Sequence, residues 1–170
     1  MRAVKHFVSQ DTLKIIYYSY FHSIMAYGLP FWESSTESIK VFKLQKRVIR
    51  VMMGCKSNQS CRELFTKLRI LPLPSQYILS LLMFLNKNKD QFTANAQIYH
   101  CATRQQTNFH QPIANWTKYQ KGTGYMGAKV FNRLAINVKK EFYNSKKFRH
   151  SLKNFHREKS FYSLQEYFEL

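Results

Sequence analysis

Apolar residues recur along this chain at helical spacing, and the interruptions fall where helices stop. From about Asp11 to Tyr27 the chain is apolar on most faces, which predicts a helix seated in the core. Gly28 follows as a C′ residue, and Pro30 blocks continuation. Ser34 and Glu37 have the S-x-x-E spacing of a capping box, ahead of a second helical run that ends near Met53 with Gly54 as the stop. At about 100° per residue, Val41, Leu44, Val48 and Met52 share one face, flanked by Phe42, Ile49 and Val51. Lys40, Lys43, Lys46, Arg47 and Arg50 fall on the opposite arc.

Ser60 and Glu63 form a second S-x-x-E pair, opening a short helix to about Leu68. Lys67 and Arg69 near its end suit the helix dipole as well as any ligand. Leu71-Pro72-Leu73-Pro74 reads as a rigid connector, and an apolar helix runs from Pro74 to about Asn88. Over 91–125 the periodicity fades, with Thr, Asn, Gln and Gly dominant, which predicts an irregular connection with a small β-hairpin in 107–125. A short helix follows from about Met126 to Leu134. Residues 137–160 are dense in charge, with Phe148, Leu152 and Phe155 at helical spacing, so a helix anchored on those three should carry a basic outer face. The tail from Phe161 to Leu170 is aromatic and acidic, and can dock by Phe161, Tyr162, Tyr167 and Phe168. The expected class is all-α with at most that one hairpin. The units are a helical subdomain over 1–90, the connection over 91–125 and a basic helical subdomain over 126–170, or a single domain made of all three.

Charge changes the picture more than any motif. The chain has 27 Lys and Arg against 9 Asp and Glu, a formal net charge of +18. So much unbalanced charge repels itself in the folded state, which points to a polyanionic partner, either nucleic acid or an anionic membrane surface. Ordinary solvated helix faces mix signs, because Glu–Lys pairs stabilise and like charges repel. Five cations with no acid among them therefore make Lys40, Lys43, Lys46, Arg47 and Arg50 the first candidate nucleic-acid-binding set. Lys146, Lys147, Arg149, Lys153 and Arg157 are the second.

Other chemistry finds little support. Residues from Ile15 to Trp32 include no Lys, Arg, Asp or Glu, but they hold Ser19, His22, Ser23 and four tyrosines. That is too polar for a transmembrane segment or a secretory signal, and an intracellular location, nuclear or cytoplasmic, is expected. Cys55, Cys61 and Cys101 fit neither a disulfide framework nor a zinc pattern, and read as free thiols in a reducing compartment. The only aspartates are Asp11 and Asp90, and no two acids are adjacent. Two-metal phosphoryl transfer needs clustered carboxylates. No phosphate-binding glycine loop, H-E-x-x-H or G-x-S-x-G motif occurs either. The expectation is no catalytic residue, no metal, no cofactor and no small-molecule substrate.

Several segments resemble the region just after the reverse-transcriptase domain of jockey-like non-LTR (LINE-type) retrotransposons. These are Leu13-Lys14-Ile15-Ile16-Tyr17-Tyr18-Ser19-Tyr20-Phe21-His22-Ser23 with Tyr27-Gly28 and Phe31-Trp32, and Leu44-Gln45-Lys46-Arg47-Val48-Ile49-Arg50, similar to the family's "LQKRaIR" helix. Cys61-Arg62-Glu63-Leu64-Phe65, Ile70-Leu71-Pro72-Leu73, Thr103-Arg104, the run from Gly127 to Leu134, and Phe161-Tyr162-Ser163 follow in the family's order. Leu134 is followed by Ala135 where the family usually has Leu-Pro. The resemblance implies a thumb-side, C-terminal piece of an RNA-directed DNA polymerase whose catalytic aspartates lie upstream of residue 1. Such a piece is inactive alone. Its partners would be RNA, an RNA–DNA hybrid or a DNA duplex, and the upstream polymerase domain. Residue chemistry leaves two other classes open: a basic module for acidic proteins or membrane surfaces, and an open reading frame of a decayed element with no function.

Overall fold

The computed structural model describes residues 6–99 and 105–170; Cys101 and Thr103-Arg104 lie outside them. The fold is all-α. Helix α1 (Gln10–Ile16) runs through a π-helical stretch (Tyr17–His22) into α2 (Ser23–Ala26), followed by α3 (Leu29–Trp32), α4 (Ser38–Met53), α5 (Arg62–Leu68) and α6 (Leu73–Lys87). After a 3₁₀ turn (Lys89–Gln91) come α7 (Asn95–Tyr99), α8 (Thr117–Gln120), α9 (Thr123–Arg133), α10 (Ile136–Lys140), α11 (Ser145–Lys159) and α12 (Leu164–Phe168). The glycine stops are where the sequence puts them: Gly28 and Gly54 are both left-handed, at φ 61° and 70°.

Helix α6 is the centre. Tyr77, Ile78, Leu81, Leu82 and Leu85 are wholly buried, and each such aliphatic side chain contributes roughly 1.5–3 kcal/mol. Helix α9 lies against α6 at Gly127, where a Cβ would run into Leu85 Cδ1. The cluster around α6 draws on Met25 and Leu29, on Val130 and Phe131, on Phe148 and Leu152, and on the docked tail through Phe161 and Tyr167. Tyr167 Oη donates to Val130 O at 2.9 Å. A second cluster joins Leu13 and Tyr17 to Ile49 and Met52 on α4 and to Leu64, Phe65 and Leu68 on α5.

Four expectations need correction. The α1–α2 segment is buried on one face only. Leu13, Tyr17 and Met25 point inward, while Ile15, Tyr20, Ile24 and Tyr27 are 65–85% exposed because no described residue covers them. Among the described residues, no single helix is long and apolar enough to cross a membrane. The hairpin in 107–125 is not formed. Phe109 makes one isolated antiparallel bridge to Ala94. Its own N–H and C=O are both taken by a side chain: Phe109 N donates to Asn132 Oδ1 at 2.8 Å, and Asn132 Nδ2 donates to Phe109 O at 2.9 Å.

Neither S-x-x-E pair caps a helix. Helix α4 starts at Ser38, and Glu37 turns to Lys40 at 2.8 Å instead of back to the chain. Helix α5 starts one residue late for Ser60, with Cys61 at the N-cap, because the Cys61 side chain is buried against α4. The working box is Ser163 and Glu166: Ser163 Oγ accepts from Glu166 N at 3.1 Å, and Glu166 Oε2 accepts from Tyr162 N at 2.8 Å.

The rotation of α4 also differs from expectation. Its inward face is centred on Gln45, Ile49 and Met52, roughly 60° around from the Val41–Leu44–Val48–Met52 face at 100° per residue. Leu44 is left 52% exposed. The reason is Gln45, whose amide has no exposure to solvent. Its Nε2 donates to Tyr17 Oη (2.9 Å) and to Leu71 O (3.0 Å), and its Oε1 accepts from Leu73 N (2.8 Å), a donor at the start of α6. Replacing Gln45 by leucine keeps the bulk and leaves these groups without partners. Each costs about 1 kcal/mol or more, so Gln45→Leu should lose about 3 kcal/mol in urea denaturation. A loss below 1 kcal/mol would contradict this role.

Candidate nucleic-acid interface

Once the rotation of α4 is fixed, its five cations separate. Lys40, Lys43 and Arg47 are exposed on the outer arc, and Lys40 is paired with Glu37. Lys46 and Arg50 lie on the flank towards α5. Lys46 Nζ sits 4.5 Å over the Phe42 ring, and Arg50 Nε donates to Gln59 O at 2.8 Å, closing the loop after α4. Lys43 and Arg47 are thus the cations of the stripe without such an engagement among the described residues.

The second set is drawn together more tightly. At about 100° per residue, Lys146, Arg149, Lys153 and Arg157 fall within an arc of about 80° on α11, and Lys147 lies outside it. This arc borders the buried line of Phe148, Leu152 and His156, so it looks sideways along the molecule. Lys146 and Lys147 occupy the first turn of α11, where a cation opposes the helix dipole by about 0.3–1 kcal/mol. Asn144 caps that turn, its Oδ1 accepting from Lys147 N.

Arg149, Lys153 and Arg157 form one wall of a cleft of about 180 Å³. Tyr18 and His22 from the π-helical stretch form a second wall, and Arg69, Leu71, Gln76 and Leu79 from the end of α5 and the start of α6 form the third. No acidic residue lines it. None of its four cations makes an ion pair among the described residues, whose pairs are Lys14–Asp11, Lys40–Glu37 and Arg62–Glu166. Arg69 and Arg157 also border a neighbouring cavity of about 400 Å³, with Phe65 and Glu158.

Local backbone choices aim these side chains. Arg69 ends α5 at φ 55°, in the left-handed region that favours glycine, with Ile70 N donating to Phe65 O at 3.0 Å. The π stretch brings the Tyr18 and His22 rings to 5.1 Å from each other. Burial raises the Tyr18 phenol, opposed by the positive charge of Arg157. Burial lowers His22 below its usual value, opposed by the Gln76 side chain. The cleft therefore gathers four cationic side chains, a phenol and an imidazole.

The sequence pattern points to Arg149, Lys153 and Arg157 among the cleft residues, and not to Arg69, Tyr18, His22 or Gln76. The usable signal for Arg69 was a helix stop with no glycine at its C′ position. Among the described residues, no group of three or more His, Cys, Asp or Glu could hold a metal ion. No protein-family model matches the chain, and no curated protein or solved structure does.

Helix α11, which carries Arg149, Lys153 and Arg157, is anchored by His156. This ring is wholly buried, stacked on Tyr167 and edge-on to Phe161, and neither nitrogen has a partner among the described residues. Burial holds its pKa down, from 6.5 to about 3. The folded state therefore keeps the ring neutral while the unfolded chain protonates it. The stability it contributes is complete above pH 6.5 and is lost as pH falls towards 3. Between pH 7.5 and 5.0 the protein should lose about 2 kcal/mol more than a His156→Phe variant, at about 1.4 kcal/mol per pH unit below 6.5. Parallel pH profiles for the two proteins would refute this.

Proposed function

We propose that this chain is a nucleic-acid-holding module without a catalytic centre, and that it corresponds to the thumb-side, C-terminal region of a jockey-like non-LTR retrotransposon reverse transcriptase. In that setting it grips the RNA template or the primer–template duplex beside the polymerase domain of the parent protein. The observation that carries the binding reading is the cleft, where Arg69, Arg149, Lys153 and Arg157 face one space with no carboxylate on its walls. Arginine forks match the oxygens of phosphate and of carboxylate, and of the two anions phosphate carries the greater charge for a cluster of four cations to neutralise. The order of the family-like segments supports the parentage, and the formal charge of +18 supports the ligand class.

A phosphate grip releases counterions, so log K falls with log salt by about 0.9 per contact on a duplex. Replacing Arg149, Lys153 and Arg157 together by glutamine should flatten that slope by about 2–3 and weaken duplex binding roughly a hundredfold at physiological salt. Glutamine is a good helix former, so α11 should persist. The control replaces Lys56, Lys118 and Lys121, three exposed cations outside the cleft. Equal losses in both triple variants, with unchanged melting temperatures, would mean that only a diffuse field acts. Binding to anionic vesicles that RNA does not displace would favour a membrane-surface module instead.

A further inference from the structure

We infer that the cleft between the π-helical stretch, Arg69 and α11 is a seat for the terminal phosphate monoester of a nucleic-acid strand. The inference rests on the nucleic-acid reading above and goes further, because it assigns one end of the strand to one place.

A continuous strand enters and leaves wherever it is held, so it lies along open surfaces. This space is only about 180 Å³ and is walled by three separate elements. A chain end can enter it and stop short of the neighbouring cavity that Arg69 and Arg157 also border, where the Glu158 carboxylate opposes a continuing anionic strand. The ladder Arg149–Lys153–Arg157 spans eight residues, about 12 Å along the helix axis. One end of it meets Arg69 and Tyr18. The other leads back to Lys146 on the exposed first turn of α11. A strand could thus run along the ladder and place its last phosphate between Arg157 and Arg69.

A phosphodiester carries one negative charge, whereas a terminal monoester carries nearly two at neutral pH. Four cations and no carboxylate line this cleft, Glu158 lying on the neighbouring cavity, and such a lining matches the monoester better. Two donors beyond the arginines are also in place: the Tyr18 phenol, already within the field of Arg157, and the His22 ring.

The backbone departs from regular geometry to bring these groups there. Arg69 holds a positive φ that glycine would adopt freely. The α-helix gives way to π-winding across Tyr18–His22, a change that recurs at functional sites. Both departures from regular backbone face this one cleft.

The test compares three versions of one single-stranded oligonucleotide, ending in a 5′-phosphate, a 3′-phosphate or hydroxyls only, with inorganic phosphate as a further probe. One phosphorylated end should bind about tenfold tighter than the hydroxyl strand, the range of charge-assisted hydrogen bonds. Arg69→Gly should abolish that preference with a melting temperature equal to or above that of the parent, since glycine suits φ 55°. Arg157→Gln should abolish it as well. Inorganic phosphate should raise the melting temperature of the parent and not that of Arg69→Gly. If all three strands bind equally tightly, the terminal seat is wrong and the general grip stands. A preference that survives both variants also places the end elsewhere. If no strand binds at all, the nucleic-acid reading falls and this inference falls with it, even if inorganic phosphate still protects the fold.

Discussion

The side-chain amide of Gln45 ties the π-helical stretch to the start of α6, and the orientation of α4 follows from that tie. A glutamine with no solvent exposure is costly unless every polar atom is satisfied. Here the partners are Tyr17 Oη, Leu71 O and Leu73 N, which come from two different segments. Rotating α4 to bury Leu44 instead would break these hydrogen bonds to gain one leucine. The amide wins, because the buried groups it serves would otherwise go unpaired. Its rotation puts Lys43 and Arg47 on the outside and turns Lys46 and Arg50 towards α5. The same tie fixes Leu71 and Tyr17, neighbours of the cleft residues Arg69 and Tyr18, so the cleft depends on it too.

Other amides do similar work elsewhere. Asn132 pairs with both backbone groups of Phe109, in the manner of a neighbouring strand. Asn86 donates to Phe142 O and accepts from Ser145 Oγ, holding the turn before α11 against α6. A fold of short helices has many chain ends and few ladders, so its buried carbonyls and N–H groups need side-chain partners. With only 9 acidic residues in 170, neutral amides meet this need without adding charge to the interior.

These amides also mark where the sequence stopped being readable. Periodicity located α4, α6, α9 and α11 to within a few residues, because each buries a face rich in aliphatic or aromatic side chains. The left-handed stops at Gly28 and Gly54 were legible because glycine has a specific reason to be there. Gln45 was not, since a lone glutamine scores as polar and moves the expected face towards Leu44. Ser34–Glu37 and Ser60–Glu63 have the spacing of a capping box, but what decided the helix starts was Glu37 pairing with Lys40 and Cys61 entering the core. In the site, the ladder on α11 was legible from its spacing. Arg69, Tyr18 and His22 were not, because their meeting depends on how α5, α6 and the π stretch are stacked, which no local pattern encodes.

Where local stability is given up, the losses fall around one place. A positive φ at Arg69 costs of order 1 kcal/mol relative to glycine. Two lysines in the first turn of α11 oppose its dipole, and the cations of the ladder repel one another along the same face. A chain under selection for stability alone would have glycine at position 69 and an acid near position 146. These departures meet at the cleft proposed as the binding site, and Ser160, the other described non-glycine residue with a positive φ (47°), lies beside it on the neighbouring cavity. The outer arc of α4 shows no such departure. Its helix is regular, and Lys40 has a carboxylate partner. The two basic faces therefore differ in setting: the one on α4 looks outward from a regular helix, and the one on α11 is arranged around a space.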